Sequence, residues 1–510
     1  MASENQSLSL LRSAGAWQFI VSLGCLIIVL RTLYRLYLHP LAHIPGPRIA
    51  AVSRAYEFYH DVLRGGMYLW EVEKMHEKYG PVVRISPGEL HIKDAYFYDE
   101  IYASGSRRQE KSPEFAGQFP FPTSMIATID HDLHRQRRGL LNNFFSKQSI
   151  EALAPMMRTK EMKLMKRFEE SCRRGAIVRL DDAYSALSAD IISHYAWGSS
   201  LDYLDTDNFN NGVRDCLNEL IAGVHVSRIF PKLQPIMKTM PRWLWTLVRP
   251  RTKAFLDLQA VVAQSVSKTP DRAGKHETIF DALLDETIPP TERSDHRLED
   301  EGLLVLIAGM ETTARTLSIA SYHLYRNRSM LEKLRSELKS VMATPTTAAS
   351  WSKLEQLPYL NAVINEALRL SHGAIWRSPR CAPMESLTYG DLVIPPGTPV
   401  GMSVYFIHTD PKIFPEPHKF QPERWIKAAE RGEHLTKHLV SFSRGHRMCI
   451  GLNLAYAELY RTLAMLIRRF DMELHETGPK NIAVGREYGV GEPKDGKFSV
   501  HVKITKVLTE

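Results

Sequence analysis

The residue in this chain best set up for chemistry is Cys449. It stands in the run Phe442-Ser-Arg-Gly445-His-Arg447-Met-Cys449-Ile-Gly451. The apolar-periodic stretch LNLAYAELYRTLAMLIRRF follows at once and predicts a helix from about Ile450 to Phe470. The thiol therefore lies at or beside a helix N-terminus, where free N–H groups and the positive dipole end favour the anion. Arg444 and Arg447 add positive charge. Gly445 and Gly451 permit tight backbone that can aim amides at sulfur. A lone cysteine is more often inert and buried. Here the neighbours make a thiolate physically reasonable.

A second constellation is Ala308-Gly309-Met310-Glu311-Thr312-Thr313, inside a long apolar helical run from Leu298 to Tyr325. Gly309 inside a helix costs about 1 kcal/mol relative to alanine, which predicts close approach by something bulky. A carboxylate followed by a hydroxyl can relay protons through water, as dioxygen reduction requires. The bland alternative is a kinked helix with a solvent-facing glutamate. A third group is Glu366-Ala-Leu-Arg369, one helical turn apart, with Pro422-Glu423-Arg424-Trp425 further on. Taken alone, the first pair is an i,i+3 surface contact worth tenths of a kcal/mol.

Two patterns are set aside. His434 and His438 have zinc-type spacing without a third ligand and read as surface residues. Gly489-Val-Gly491 lacks the third glycine of a nucleotide fingerprint.

The elements that must position these residues are mostly helical. Tyr56 to Tyr79 reads as helix, and VVRISPGELHIKD as a β-hairpin around Pro87-Gly88. Residues 105–128 are irregular and carry Phe115, Phe119, Phe121 and Met125. An apolar loop of that length is expected to do more than link. Helical patterns dominate from about 145 to 375, with a charged break from Lys268 to Lys275. Ser329 to Met342 is amphipathic, and Leu357 to Leu370 is a further helix. LVIPPGTPVGMSVYF gives two short strands around Pro395-Pro396-Gly397, and a proline-rich meander runs from Asp410 to Trp425. The class is mainly α with a minor β part.

The five cysteines are few and far apart, which argues against a disulfide framework and suits a reducing compartment. The formal charge of +8 hints at an acidic partner or an anionic membrane surface. No nucleic-acid-binding pattern accompanies it. Residues 1–13 form a tail bearing the formal glycosylation triplet Asn5-Gln6-Ser7. Residues 14–38 read as a transmembrane anchor, apolar or small from Ala14 to Leu30 and followed by Arg31 and Arg35. Its length and flanks favour an anchor over a cleaved signal. Residues 39–49, with Pro40, Pro45 and Pro47, read as a stiff elbow. The positive-inside rule then puts residues 50–510 in the cytosol.

The cysteine run fills every fixed position of Phe-x-x-Gly-x-Arg-x-Cys-x-Gly, and so resembles the cytochrome P-450 family of haem-thiolate monooxygenases. The Ala-Gly-x-Glu-Thr-Thr, Glu-x-x-Arg and Pro-Glu-Arg segments are similar to that family too. The resemblance covers nearly the whole chain after the elbow and implies a fold with haem b between the Glu311 helix and the cysteine-loop helix. It implies that Cys449 is the axial iron ligand, whose thiolate favours O–O cleavage, and that Glu311 and Thr312 serve oxygen activation. Phe442 would pack by the sulfur, and Arg447 would meet a propionate. Glu366, Arg369 and Arg424 would form a buried structural network. His134 stands where the family carries tryptophan, four residues before Arg138. Arg138, His134, Arg377 and Arg380 thus stay open as propionate partners, with Arg380 favoured over Arg377 by spacing.

No flavin or nicotinamide domain is visible, so electrons must come from another protein; the resemblance implies that this is the membrane-bound NADPH–cytochrome reductase, an acidic flavoprotein. The basic surface near Arg444 and Lys437 would suit it. The chain looks most like membrane-bound filamentous-fungal enzymes of the trichodiene-oxygenase type. That resemblance implies a monomeric, single-pass protein of the endoplasmic reticulum membrane acting on a lipophilic terpenoid or polyketide-like metabolite. Candidate pocket residues are Phe115, Phe119, Phe121, Met125, Ile307, Ala308 and Trp376. Two alternatives are a haem-thiolate isomerase or dehydratase, which needs no acid–alcohol pair, and a membrane haem-binding protein without turnover.

Overall fold

A computed structural model describes residues 2–102, 108–209, 214, 223–231, 252–268 and 278–509. Cys216 and residues 269–275 of the charged break lie outside them.

The N-terminal helix Ala2–Leu33 runs into a π-helical turn, Tyr34–Leu38. Its segment Trp17–Leu38 has 22 residues, a mean hydropathy of 1.9 and no buried position. That length and composition suffice to cross a bilayer. The elbow that follows is docked on the body. Leu41 and Ile44 are buried against Val82, Leu90 and Ile92. The Arg84 guanidinium donates to the carbonyls of Arg35 at 2.9 Å and Pro87 at 2.7 Å. At Gly46 an added Cβ would lie 2.4 Å from the Arg84 carbonyl oxygen, so only glycine permits this approach.

The hairpin around Pro87-Gly88 forms as expected, Val82–Arg84 pairing antiparallel with Leu90–Ile92. It starts a five-stranded sheet whose order continues through Val400–Gly401, Arg380–Cys381 and Glu110–Lys111. Lys111 is thereby paired with Arg380 across an antiparallel register. Two expectations change. The helix over Tyr56–Tyr79 is broken at Gly65 and Gly66, both with φ near +70°. A Cβ on Gly66 would meet the Glu487 carbonyl oxygen at 2.4 Å. The strands flanking Pro395-Pro396 do not pair with each other. Leu392–Ile394 pairs with Leu387–Tyr389, and Val400–Gly401 joins the five-stranded sheet. Prolines supply no N–H to a ladder, so the chain changes sheets there.

The core is helical. Asp295–Arg326 is long and apolar enough to cross a membrane, but it is largely buried inside the protein. It packs against Leu180–Trp197, Pro358–Ser371 and Leu452–Arg469. The last of these follows the cysteine loop, as its sequence periodicity predicts.

Candidate active site

A cavity of about 930 Å³ lies between the central helix, the cysteine loop, the Phe-rich loop and the C-terminal hairpin Arg486–Tyr488/Val490–Glu492. Cys449 opens into it, and so do Ala308 and Thr312. These last two are the exposed positions in an otherwise buried stretch of the central helix, one turn apart. Residues four apart share a helix face, so the alternation of burial marks that face as cavity wall.

The cysteine loop is held tightly. Gly445 adopts φ +69° at the start of the 3-10 turn Gly445–Arg447. The Cys449 amide donates to the Phe442 carbonyl at 2.8 Å. Phe442 packs on Tyr456 of the following helix, ring centroids 5.3 Å apart. Gly451 caps that helix. A Cβ on Gly451 would come to 4.0 Å from the Cys449 sulfur. The expected lowering of the thiol pKa is not seen. Burial pushes it above the ordinary value, although the Gly451 amide and Arg138 act in the other direction. The helix begins only at Leu452. Arg444 is spent on Asp99 at 2.7 Å, and Arg447 donates to the carbonyls of Thr128 and Ile129 at 2.6 Å each.

Glu311 is buried rather than solvent-facing. Arg214 grips it with Nε at 2.8 Å and Nη2 at 3.2 Å, and Arg315 stands 3.8 Å away. Burial alone would raise its pKa; Arg214 and Arg315 overcome this and hold it below the usual range. The Thr312 hydroxyl donates to the Ala308 carbonyl at 3.1 Å and leaves its lone pairs to the cavity. Gly309 does not line the cavity. A Cβ there would meet Ile192 at 3.5 Å, an ordinary contact, so the close approach expected at this glycine is absent.

Glu366 and Arg369 are completely buried and joined by two bonds of 2.7 and 2.9 Å. Arg424 adds a third at 3.2 Å, Trp425 Nε1 a fourth at 2.9 Å, and the Gln421 amide a fifth at 2.9 Å. Arg369 also donates to the carbonyls of His408, Pro417 and Lys419. This ties the Glu366 helix to the meander. Ser441, at the start of the cysteine loop, donates to the Leu368 carbonyl of that helix at 2.9 Å.

The apolar wall is aromatic. Trp376 meets Phe115 and Phe119 edge-on at 5.4 and 5.3 Å, and Phe119 stacks on Phe121 at 6.0 Å. Ile307 lines the cavity as well. Met125 does not: it is buried, its amide donates to Glu301, and the neighbouring Ile126 takes its place in the wall.

A family model described as cytochrome P-450 matches residues 54–498. The chain is a member of the cytochrome P-450 family. It is 46% identical over 480 residues to the conidiogenone synthase PchP450 of Penicillium rubens, covering 94% of this chain and 96% of that one. To the cytochrome P-450 monooxygenase TRI4 of Trichoderma arundinaceum it is 44% identical over 498 residues, 96% of each chain. TRI4 of Fusarium sporotrichioides is 43% identical over 487 residues, 93% of each. The chain is therefore an oxygen-incorporating oxidoreductase of the haem-thiolate class.

The cavity suits that cofactor. A haem brings an iron that accepts a thiolate and two propionates that need cations. Cys449 supplies the thiol. Arg380 and Arg447 line the same cavity, and among the described residues neither has a carboxylate at ion-pair distance. Arg447 Nε is buried without a partner. Burial, with Arg380 beside it, pushes the Arg447 pKa down to about 9. Arg138 turns to the Met448 carbonyl at 2.6 Å, outside the cavity wall. His134 is also buried behind the wall, and burial with the cations around it pushes its pKa down to about 2. It therefore carries no charge. Arg377 is consumed by Glu57 at 2.5 Å and Glu89 at 3.3 Å.

Sequence reasoning missed two parts of the site. Lys111 lines the cavity, and so do Tyr488, Gly489 and Val490 of the C-terminal hairpin. Gly489, read as part of a failed nucleotide motif, has φ +82° and would put a Cβ 3.0 Å from the Trp376 ring. His438, expected on the surface, is buried against Tyr96 at 5.3 Å; His434 is exposed.

Proposed function

We propose that the chain inserts one atom of dioxygen into a lipophilic secondary metabolite of terpenoid or polyketide-like character, using electrons from a separate NADPH–cytochrome reductase. The observation that carries this reading is one mainly apolar cavity that holds both the Cys449 thiol and the Thr312 hydroxyl. Bound haem supplies dioxygen activation; the thiolate ligand favours O–O cleavage. Cys449 would supply the thiolate that holds the haem iron, and metal coordination would favour the ionisation that burial opposes. Arg380 and Arg447 hold propionates. Arg138 holds the Met448 carbonyl of the loop and, with the Gly451 amide, favours the thiolate. His134 packs behind the cations as a neutral group, and Gly309 fits the central helix against Ile192.

Thr312 accepts a hydrogen bond from water in the cavity and passes a proton inward. Glu311 is the proton source, and it must loosen from Arg214 to take up and deliver one. Glu366, Arg369 and Arg424 hold the cysteine loop in place. Phe115, Phe119, Phe121, Ile307, Ala308 and Trp376 bound the substrate, and their apolar character selects a lipophilic one. The anchor over 14–38, the elbow over 39–49 and the catalytic domain over 50–510 suit a single-pass protein of the endoplasmic reticulum membrane with a cytosolic active site. The names of its relatives, among them a conidiogenone synthase, support a place in secondary metabolism.

The test is the reduced, carbon monoxide-bound absorption spectrum. A thiolate-type Soret band is expected in wild type and lost in Cys449→Ala; an unchanged band in the variant overturns the ligand assignment. With reductase and a terpenoid hydrocarbon, Thr312→Ala should consume NADPH but form less product per electron. Equal coupling would remove Thr312 from the proton path.

A further inference from the structure

We infer that one proton, held between His225 and Asp61, latches a wall of the cavity shut, and that its loss lets this wall loosen for ligands to pass. The latch governs access to the cavity, whatever reaction the cavity serves.

His225 lies in the helical segment 223–229, which gives Gly223, Val224 and Ser227 to the cavity wall. It is fully buried at a point where three elements meet. Its Nε2 stands 2.7 Å from the Glu487 carbonyl of the C-terminal hairpin, which gives Tyr488, Gly489 and Val490 to the same cavity. Its Nδ1 faces Asp61 Oδ2, in the π-helical turn Tyr59–Leu63, at 3.5 Å. The Tyr488 ring lies 5.6 Å from the imidazole.

A carbonyl only accepts, so Nε2 carries a hydrogen. In a neutral ring Nδ1 then presents a lone pair. That lone pair would face a buried carboxylate oxygen, and Nδ1 has no hydrogen-bond partner. Two buried acceptors without a donor between them are unfavourable. A proton on either atom removes the conflict, and the two groups then titrate as a pair. The charges around them favour holding it. Asp61 accepts from the Tyr68 amide at 3.0 Å and shares Arg228 with Glu57. Arg377 pairs with Glu57 and Glu89. Glu487 accepts from the Gly489 amide at 2.7 Å and has no ion pair among the described residues. Carboxylates thus outnumber cations around His225. Burial pushes the Asp61 carboxyl up, while His225 and Arg228 act in the other direction.

Arg228 ties the segment to the N-terminal turn at every pH. The contact that depends on a proton is one turn before it, at the junction with the hairpin. The closed wall is the proton-bound form, so closing weakens as pH rises. Asp61, His225 and Glu487 also place ligand atoms within 4.8 Å of one another. Arg228 stands 2.5 Å from the same Asp61 oxygen, and a cation that close favours a proton over a metal ion.

Full-length, haem-loaded protein in lipid nanodiscs is compared as wild type, His225→Phe and His225→Lys from about pH 6 to about pH 9, the range in which histidine pairs commonly titrate. Amide hydrogen exchange over 223–231 and 486–492, corrected for its intrinsic pH dependence, is read by mass spectrometry. Binding of phenyl isocyanide to the reduced haem is timed by stopped flow; this probe is apolar and uncharged throughout. In wild type both should quicken by about tenfold as pH rises, the worth of one charge-assisted bond. His225→Phe holds no proton and should be fast throughout. His225→Lys keeps a donor and a charge and should be slow throughout, and it serves even if His225→Phe folds poorly. A wild type that does not respond to pH overturns the inference. So does a pH step that survives in His225→Phe, because another group then carries it. One equivalent of zinc per chain in purified wild type, absent from His225→Phe, overturns it in favour of a metal ion.

Discussion

The Glu366–Arg369–Arg424 group and the Lys111–Arg380–Arg447 group are both buried and both rich in cations. The first contains its own counter-charge. Every oxygen of Glu366 is engaged, and Arg369 finds three carbonyls besides. The second contains none among the described residues, and one of its nitrogens, Arg447 Nε, has no partner at all. A buried charge must be compensated, so the first group is complete as the chain folds, and under the proposed function a ligand completes the second. Charge closure therefore separates scaffold from site here, where burial and residue type do not.

The largest test removes the counter-charge from the closed group. Glu366→Ala strands Arg369 at zero exposure. Breaking a buried pair by removing one partner costs about 3–5 kcal/mol, a large share of a protein's stability. The expected outcome is little folded, haem-containing protein, read as haem content per chain and by thermal unfolding. Normal haem content in Glu366→Ala would show that Arg369 is compensated elsewhere.

A second buried group that holds its own counter-charges, around Glu57, sharpens the comparison through pH. Glu57 bonds Arg377 at 2.5 Å and Arg228 at 2.9 Å. Burial alone would raise its pKa, but the two arginines bring it down to about 2. A carboxylate whose folded pKa is depressed contributes stability above its unfolded value. That stability is lost as pH falls through the folded pKa. Glu57 should therefore contribute on the order of 3 kcal/mol near neutrality, fading between about pH 4.5 and pH 2. Urea unfolding of Glu57→Gln against wild type should show a gap at pH 7 that narrows towards pH 3. A gap independent of pH would mean that packing, not charge, holds this site.

What the sequence showed of the site follows the same division. The cysteine loop, the Glu311-Thr312 pair and the Glu-x-x-Arg turn are each local, so their residue types and spacing carry the information. The cavity wall is assembled from afar. Lys111 reaches Arg380 only through strand pairing, and Gly489 meets Trp376 only because a hairpin folds back. Neither leaves a periodic or motif signal. The departures at Gly309 and Met125 have a related cause. Both lie in stretches that border the cavity, but each points to its other side. The positive charge around Cys449 is smaller than its local sequence suggests, because Arg444 pairs with Asp99, 345 positions away. The same ion pair offsets positive charge on the surface expected to meet a reductase. By contrast, the long apolar helix and the helix after the cysteine are set by patterns within themselves, and they form where the periodicity puts them.

The smallest expected effect is at Arg380, and it bears most directly on the distinction. Arg380 is buried over the Tyr102 ring, 5.2 Å away, and donates only to the carbonyls of Ser378 and Pro379, two residues and one residue before it. Burial lowers its pKa, so it costs the fold something to keep the charge. If the cation group is a site waiting for an anion, Arg380→Leu should leave folding nearly unchanged and quicken haem release by a few-fold to about tenfold. Stability and release then move independently. If Arg380→Leu instead lowers the unfolding temperature as strongly as Glu366→Ala does, Arg380 is scaffold. The contrast between closed and open charge would then not distinguish the two regions. A side-by-side measurement of unfolding temperature and haem transfer on the two variants decides between these outcomes.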